Sequence, residues 1–368
     1  MGASTAYHLA LRGQKNILLL EKDEFFGQES TGKCAGGVRF QFSTDVNIRL
    51  SLQSLPMLDR FKDETGQDIN FRKCGYLFVL TNPEDVKTFQ HSLELQHNLG
   101  VRTEWLSGDE VRRRLPLMHF EDALAGSFNP QDGLVDPNSV VMGYVGAAQR
   151  MGVQCLNKVE VTGIQVEAGK IVGVDTNQGK ISTSAIVDAA GPWASLIAQM
   201  AGVSVPIEPF RRQLMTTTPI PEVPQDFPFV LDFAQSLYFH REGEGILTGM
   251  SNNHEKAGFN QSVDEEFEMV NLDASIARMP ILEKSNLLSH WAGLYEVTPD
   301  AHPIFGKTPV EGLSIVAGFS GHGFMHGPIA GKLMAEYILD GKFQSLDVSM
   351  LDLARFAEGR QIREYSVV

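Results

Sequence analysis

The residues best equipped for chemistry in this chain stand in three glycine-rich stretches. The densest, residues 313–331 (LSIVAGFSGHGFMHGPIAG), runs from a short apolar segment into Gly318, Gly321, Gly323 and Gly327, with His322 and His326 between them. Glycines packed so tightly let backbone N–H groups approach a flat or anionic ligand, and a helix predicted from Pro328 adds positive potential at its N-terminus. Near the start, Gly2 opens a helical pattern, an apolar run follows at Ile17–Leu20, and Glu21 closes it. In a dinucleotide-binding unit one glycine lets helix and strand pack closely, and an acid about 20 residues on accepts ribose hydroxyls. The separation of Gly2 from Glu21 suits that role, and it suits equally an ordinary helix–strand pair ending in a charged residue. The first strand of such a unit, with its two other glycines, would precede Gly2, so further sequence is expected upstream of Met1.

The third stretch is Ser30–Arg39 (STGKCAGGVR). Across 27–34 (GQESTGKC) it approaches a phosphate-binding P-loop, with Cys34 where the magnesium-binding hydroxyl belongs. Ala35-Gly36-Gly37 is a poor helix start, so the loop reads instead as a backbone wrap around a cofactor, with Cys34 a buried, unreactive thiol. Gly318–His322 imitates a nucleophile elbow but puts His322 in the place of the final glycine. His322 and His326 have the spacing of metal ligands and lack a third partner, so no metal site is expected.

Such loops need elements to hold them. A chain of 368 residues with 43% hydrophobic composition can bury a large core, and its length suggests two domains. Hydrophobic periodicity predicts helices over 3–12, 44–62, 83–100, 137–152, 264–279 and 328–341, with strands at 17–20, 74–80, 236–250 and 313–318. Alternation and turn residues around Gly169 and Gly179 predict hairpins across 153–188. Six prolines between 206 and 228 predict an irregular connection. The result is a mixed α/β chain. Its net charge of -14 excludes nucleic acid as a natural partner. No apolar run reaches the ~18 residues that span a bilayer. Cys34, Cys74 and Cys155 form no C-x-x-C pair, which favours a reducing compartment, and the chain is expected in the cytoplasm.

At Gly2, Glu21, the STGKCAGGVR loop, DAAGPWA (188–194), W-A-G-L-Y-E-x-T-P-D-x-H-P-I (291–304) and GFSGHGF (318–324), the sequence resembles the D-amino acid oxidase superfamily of FAD enzymes. The similarity is to the branch of sarcosine oxidase, dimethylglycine dehydrogenase and the β-subunits of heteromeric sarcosine oxidase and proline dehydrogenase. It implies an FAD-binding, Rossmann-like domain lacking its first strand, assembled from 1–72, 136–207 and 298–368. A substrate domain from 73–135 and 208–297 would carry a large, mostly antiparallel sheet. It implies non-covalent FAD, because the cysteine that carries the flavin in monomeric sarcosine oxidase aligns near Gly293.

By position, the resemblance places Gly2 at the pyrophosphate, Glu21 and Lys22 at the adenosine ribose, and Val159 at the adenine. Gly191 would lie along the dinucleotide, and Gly32, Gly36 and Gly37 around the ribityl chain and pyrophosphate. Gly318, Gly321, His322, Gly323, Phe324 and Met325 would border the isoalloxazine. Arg39 would hold the substrate carboxylate with its bidentate fork, and Tyr295 and His326 are further catalytic candidates. The implied reaction is oxidation of a small amino acid or N-methyl amino acid by hydride transfer to flavin N5, giving an imine. An electron-acceptor protein or partner subunit is implied as well. The alternatives are a non-catalytic subunit or assembly factor and a 2-hydroxy acid dehydrogenase of the same superfamily. The lysine that assists oxygen reduction in sibling oxidases falls near Leu247, and a second active-site lysine falls at Met325. Dehydrogenase behaviour is therefore expected, unless a protonated His322 or His326 supplies the missing cation.

Overall fold

In the computed structural model, which describes residues 1–367, the chain opens with helix α1 (Gly2–Leu11), stopped by Gly13 at a φ of 84°. Strands β1 (Leu18–Leu20) and β2 (Gly37–Val38) follow, then helices α2 (Asp45–Asp59) and α3 (Phe61–Thr65). The single helix predicted over 44–62 is thus two. Pro56 lies in the last turn of α2 and cannot donate to the carbonyl four residues back, which loosens the helix just before it ends.

Next come β3 (Tyr76–Leu80), α4 (Pro83–Asn98), β4 (Glu104–Ser107), α5 (Gly108–Arg114), β5 (Ala125–Asn129), β6 (Gly133–Leu134) and α6 (Pro137–Arg150). Helices α4 and α6 both begin with proline behind a side-chain cap, from Asn82 and Asp136 respectively. Five short strands then occupy the segment read as hairpins: β7 (Gln154–Leu156), β8 (Val161–Glu167), β9 (Lys170–Thr176), β10 (Gly179–Ser182) and β11 (Ile186–Asp188). Helix α7 (Ala194–Met200) precedes β12 (Glu208–Thr217), β13 (Phe229–Asp232), β14 (Leu237–Glu242) and β15 (Gly245–Met250). The chain continues through α8 (Glu265–Arg278), β16 (Leu287–Val297), β17 (Ile304–Lys307), β18 (Leu313–Ala317) and α9 (Gly323–Asp340).

Two expectations need correcting. Residues 208–217 are not irregular: they form β12, inside a sheet of eight strands ordered β16-β12-β15-β14-β13-β3-β5-β4. Pro209 is tolerated there because it pairs only with β16, and contact with β15 begins at Gln213. Helix α9 starts at Gly323, a turn and a half before the predicted Pro328. Proline this close to the helix start removes one N–H donor, and the Ser54 hydroxyl donates to the nearby Met325 carbonyl at 2.6 Å.

The eight-stranded sheet is antiparallel except where β3 runs parallel to β13. The smaller sheets divide the remaining strands: β1 with β7 in parallel, the β8–β10 meander, β11-β18-β17, and β2 with β6. Helix α9 packs against α1 at its closest where Gly331 meets Ser4. A Cβ on Gly331 would lie 2.2 Å from Ser4 Oγ and 2.4 Å from the Ser4 backbone carbon.

Candidate active site

Two glycine loops and the eight-stranded sheet enclose a pocket. One loop comes from residues before β2. Gly36 has a φ of 72° and sits so close to the carbonyl of Val135 that a Cβ would lie 2.5 Å from it. Gly37, paired with Leu134, lies against the Phe229 ring of β13. The second loop joins β18 to α9. The Ser320 N–H donates to the Glu296 carbonyl at 3.0 Å, which straps this loop to β16. Gly321, at a φ of 94°, leaves 2.3 Å between a hypothetical Cβ and the Tyr295 ring. Only glycine permits both the backbone angle and the contact.

The pocket gathers many of the residues read from sequence: Gly36, Gly37, Arg39, Tyr295, Gly321 and His322, with Phe324 and Met325 beside them. The other proposed cofactor residues form a second group beside α1. Gly2 packs between Leu19 and Ala189. The Glu21 carbonyl accepts from Val159 N–H at 2.9 Å, and the Lys22 ammonium lies 4.1 Å from the Trp193 ring centre. Gly191 takes a φ of 55° next to the Glu296 carboxylate. Gly32 closes a tight turn onto the Gly27 carbonyl at 2.7 Å, Gly318 packs against Thr298 and Ile207, and Gly323 packs against Phe319 and Met1.

His326 stands behind the pocket wall, wholly buried against Phe42. His322 Nε2 lies 2.9 Å from the carbonyl of Ala301, which can only accept, so that nitrogen carries the proton. His322 Nδ1 is then free to accept from His326 Nδ1–H, 3.2 Å away, and His326 Nε2 faces Ser51 Oγ at 3.0 Å. Burial drives His322 down to about 3 and His326 well below its ordinary value. Both rings are neutral near pH 7, so neither supplies a cation. Leu247, buried in β15, supplies none either.

Arg39 is buried, with its guanidinium 3.9 Å from the centre of the Phe42 ring. Its two terminal nitrogens donate to the carbonyls of Gln41 and Ser366. Cys34 is half-buried in the pocket wall rather than fully buried as expected, and desolvation pushes its thiol up to about 11, so it is protonated near neutral pH.

Sequence reasoning missed six residues of the pocket wall: Tyr76, Arg212, Leu214, Phe229, Tyr238 and Val367. The Tyr76 and Phe229 rings stack with centres 4.1 Å apart. Strand alternation was the available signal, since Arg212 and Leu214 share one face of β12, but the prolines around it concealed the strand.

Several groups beside α1 fit a dinucleotide. The first-turn N–H groups of α1 have no acceptor within the helix and suit phosphate oxygens. Among the described residues, no salt bridge involves Glu21, although the Lys22 charge acts on it. Burial raises its carboxyl above the ordinary value, and one oxygen accepts from Asp23 N–H at 3.1 Å. Near Gly191, Asp188 Oδ2 and Glu296 Oε2 are buried without a hydrogen-bond partner among the described residues. Ligand hydroxyls would satisfy these oxygens. Replacing Glu21 with Gln is expected to weaken dinucleotide affinity about 10-fold, the loss of a charge-assisted hydrogen bond. Titrating the apoprotein with FAD measures it, and equal affinity would remove Glu21 from the site.

Residues 1–337 match the family described as DAO: FAD dependent oxidoreductase. The mitochondrial dimethylglycine dehydrogenase of Rattus norvegicus is 28% identical over 388 residues, covering 97% of this chain and 44% of that protein. The sarcosine oxidase subunit beta of Rhodobacter capsulatus is 27% identical over 373 residues, covering 99% and 88%. This chain therefore spans less than half the length of the first relative and most of the second. Among solved structures, L-proline dehydrogenase from P. horikoshii superposes with a TM-score of 0.89 at 34% identity, covering 98% of this chain and 96% of that one.

Proposed function

The chain belongs to the DAO family of FAD-dependent oxidoreductases, and from that premise we propose that it dehydrogenates a small amino acid or N-methyl amino acid of the sarcosine, dimethylglycine or proline type. One observation carries the reading. The pocket between the glycine loops and the sheet presents two arginines and three tyrosines, and no carboxylate lines it among the described residues. A wall of donors suits a substrate that brings its own carboxylate.

Bound FAD supplies the acceptor for the two electrons that leave the carbon beside the substrate nitrogen. The residues of this chain do the rest. The N-terminus of α9 holds positive backbone potential at the pocket edge. Phe229 and Leu214 give part of the pocket wall an apolar surface that excludes water. The charged residues orient the carboxylate so that the reacting carbon faces one direction. Among the described residues no helix is long and apolar enough to cross a membrane. Reducing equivalents are proposed to leave through an acceptor protein or partner subunit, as the subunit name of the R. capsulatus relative suggests.

The test is anaerobic mixing of FAD-loaded protein with sarcosine, dimethylglycine, proline, lactate and glycolate, followed by flavin absorbance. Bleaching by at least one of the amino acids is expected, with no response to the hydroxy acids. Oxygenated buffer should then restore the colour more slowly than a dye acceptor, because the pocket's cations are engaged, Lys33 with Glu29 at 2.9 Å and the arginines with backbone carbonyls and the bound carboxylate, and the nearby histidines are neutral. A flavin that no amino acid bleaches would overturn the proposal.

A further inference from the structure

We infer that Arg212 is the residue that grips the substrate carboxylate, through the Nε–Nη2 edge of its guanidinium. The inference rests on the amino-acid reading of the pocket given above. Arg211 and Arg212 are neighbours on β12, and strand alternation sends them to opposite faces. Arg211 is saturated: it meets Glu255 at 3.0 Å and Asp264 at 3.1 Å, and donates to the Ser262 carbonyl at 2.8 Å. Arg212 faces the pocket and differs in each respect. Among the described residues no carboxylate lies within salt-bridge distance of it. Its one hydrogen bond runs from Nη1 to the Arg211 carbonyl at 2.9 Å. Its Nε is buried without any partner.

That pattern leaves a particular edge open. Nε–H and one Nη2–H point the same way and match the two oxygens of a carboxylate. The guanidinium is steadied at its other side by the Tyr295 ring, 5.0 Å from its centre. Across the strand pair, Arg212 stands opposite Gly293, which has no side chain to cover it. Tyr238, also on the wall, adds a second hydroxyl near the charge. Arg39, by contrast, has both terminal nitrogens on backbone carbonyls and its plane against Phe42. It contributes positive charge to the pocket from a fixed place. A buried guanidinium N–H left without an acceptor is costly, and a ligand carboxylate is the group that relieves it.

The experiment separates this assignment from the reaction itself. FAD-loaded protein is titrated with acetate and with acetamide, its neutral counterpart, by calorimetry and by the flavin spectrum. The wild type should bind acetate and ignore acetamide. Arg212→Met should weaken acetate at least about 30-fold, the scale of a lost charge-assisted pair, and Arg212→Lys should restore only part of it because the fork is gone. Arg39→Lys should change acetate affinity less than Arg212→Lys does. An unchanged flavin spectrum and melting curve certify that the variants are folded. Acetate binding that survives Arg212→Met, equal binding of acetamide, or no acetate binding by the wild type would each overturn the assignment. None of these results depends on whether an amino acid bleaches the flavin, so the two proposals fail separately.

Discussion

Replacing Gly331 with alanine is expected to cost about 3 kcal/mol of stability and to loosen the cofactor at the same time. The Cβ would meet both Ser4 Oγ, at 2.2 Å, and the Ser4 backbone carbon, at 2.4 Å. A side chain can rotate away; a backbone atom inside a packed helix cannot. The helices α1 and α9 must therefore separate, and overpacking of this kind costs roughly 1–3 kcal/mol or more. Separation also breaks the hydrogen bond from Ser4 Oγ to the Pro328 carbonyl, at 3.1 Å, worth about 1 kcal/mol. The flavin should suffer because the first turn of α1 carries the N–H groups that suit its phosphates. Urea unfolding and FAD titration measure the two effects. Truncating Ser4 to glycine in the same chain should recover little, because the backbone contact remains. A variant that melts with the wild type and holds FAD equally well would show that α1 and α9 are less closely fitted than described.

The second large effect is expected at Asp300. Arg355 is fully buried, and its Nε and Nη2 meet the two Asp300 oxygens at 2.8 and 3.0 Å. The remaining donors reach the carbonyls of Leu351, Asp352 and His302. Asp300→Ala leaves that guanidinium buried with no counter-charge, which costs about 3–5 kcal/mol. Replacing both partners, Asp300→Ala with Arg355→Met, should cost less than the first change alone. The pair also carries a pH signature. Burial by itself would raise the Asp300 carboxyl, but the hydrogen bonds and charge of Arg355 outweigh it and hold the group below its ordinary range. A depressed folded pKa means that the stabilisation is present above the unfolded value of about 4 and is lost as pH falls through the folded one. Thermal melts of wild type and Asp300→Ala should therefore converge toward acid pH. A constant gap down to acid pH would assign the loss to packing instead.

Patterns with a short period were legible in the sequence. Gly13 and Gly341 follow their helices with positive φ, and β9 and β10 turn between Thr176 and Gly179 as the hairpin signal implies. The glycine-dense loop before α9 stood out in the sequence by its density, and Gly321 and His322 of that loop line the pocket. Arg212 was not. Its strand is introduced by Pro206 and Pro209, and a rule that treats prolines as breaks hides an edge-paired strand. The Asp300–Arg355 pair was invisible for a different reason: nothing local connects two residues brought together by the fold. Arg39 could be read as a cation near the substrate, but its bond to the Ser366 carbonyl joins residues 327 positions apart. Long-range partners set what a side chain has left to offer, and spacing along the chain does not record them.

The same long reach bears on how the protein comes into being. Ser30 and Val367 line one cavity, and the parallel pairing of β3 with β13 matches Tyr76 to Phe229. Each such closure must be made before its contacts repay the chain entropy it costs, which slows folding and defers the site to its last stages. A ribosome-bound or partly folded chain can hold much of its helix content and still have no place for the flavin ring. Yellow colour should then lag behind the far-ultraviolet helix signal when denatured protein is diluted into FAD. In a purified sample, colour per chain counts the molecules that finished folding.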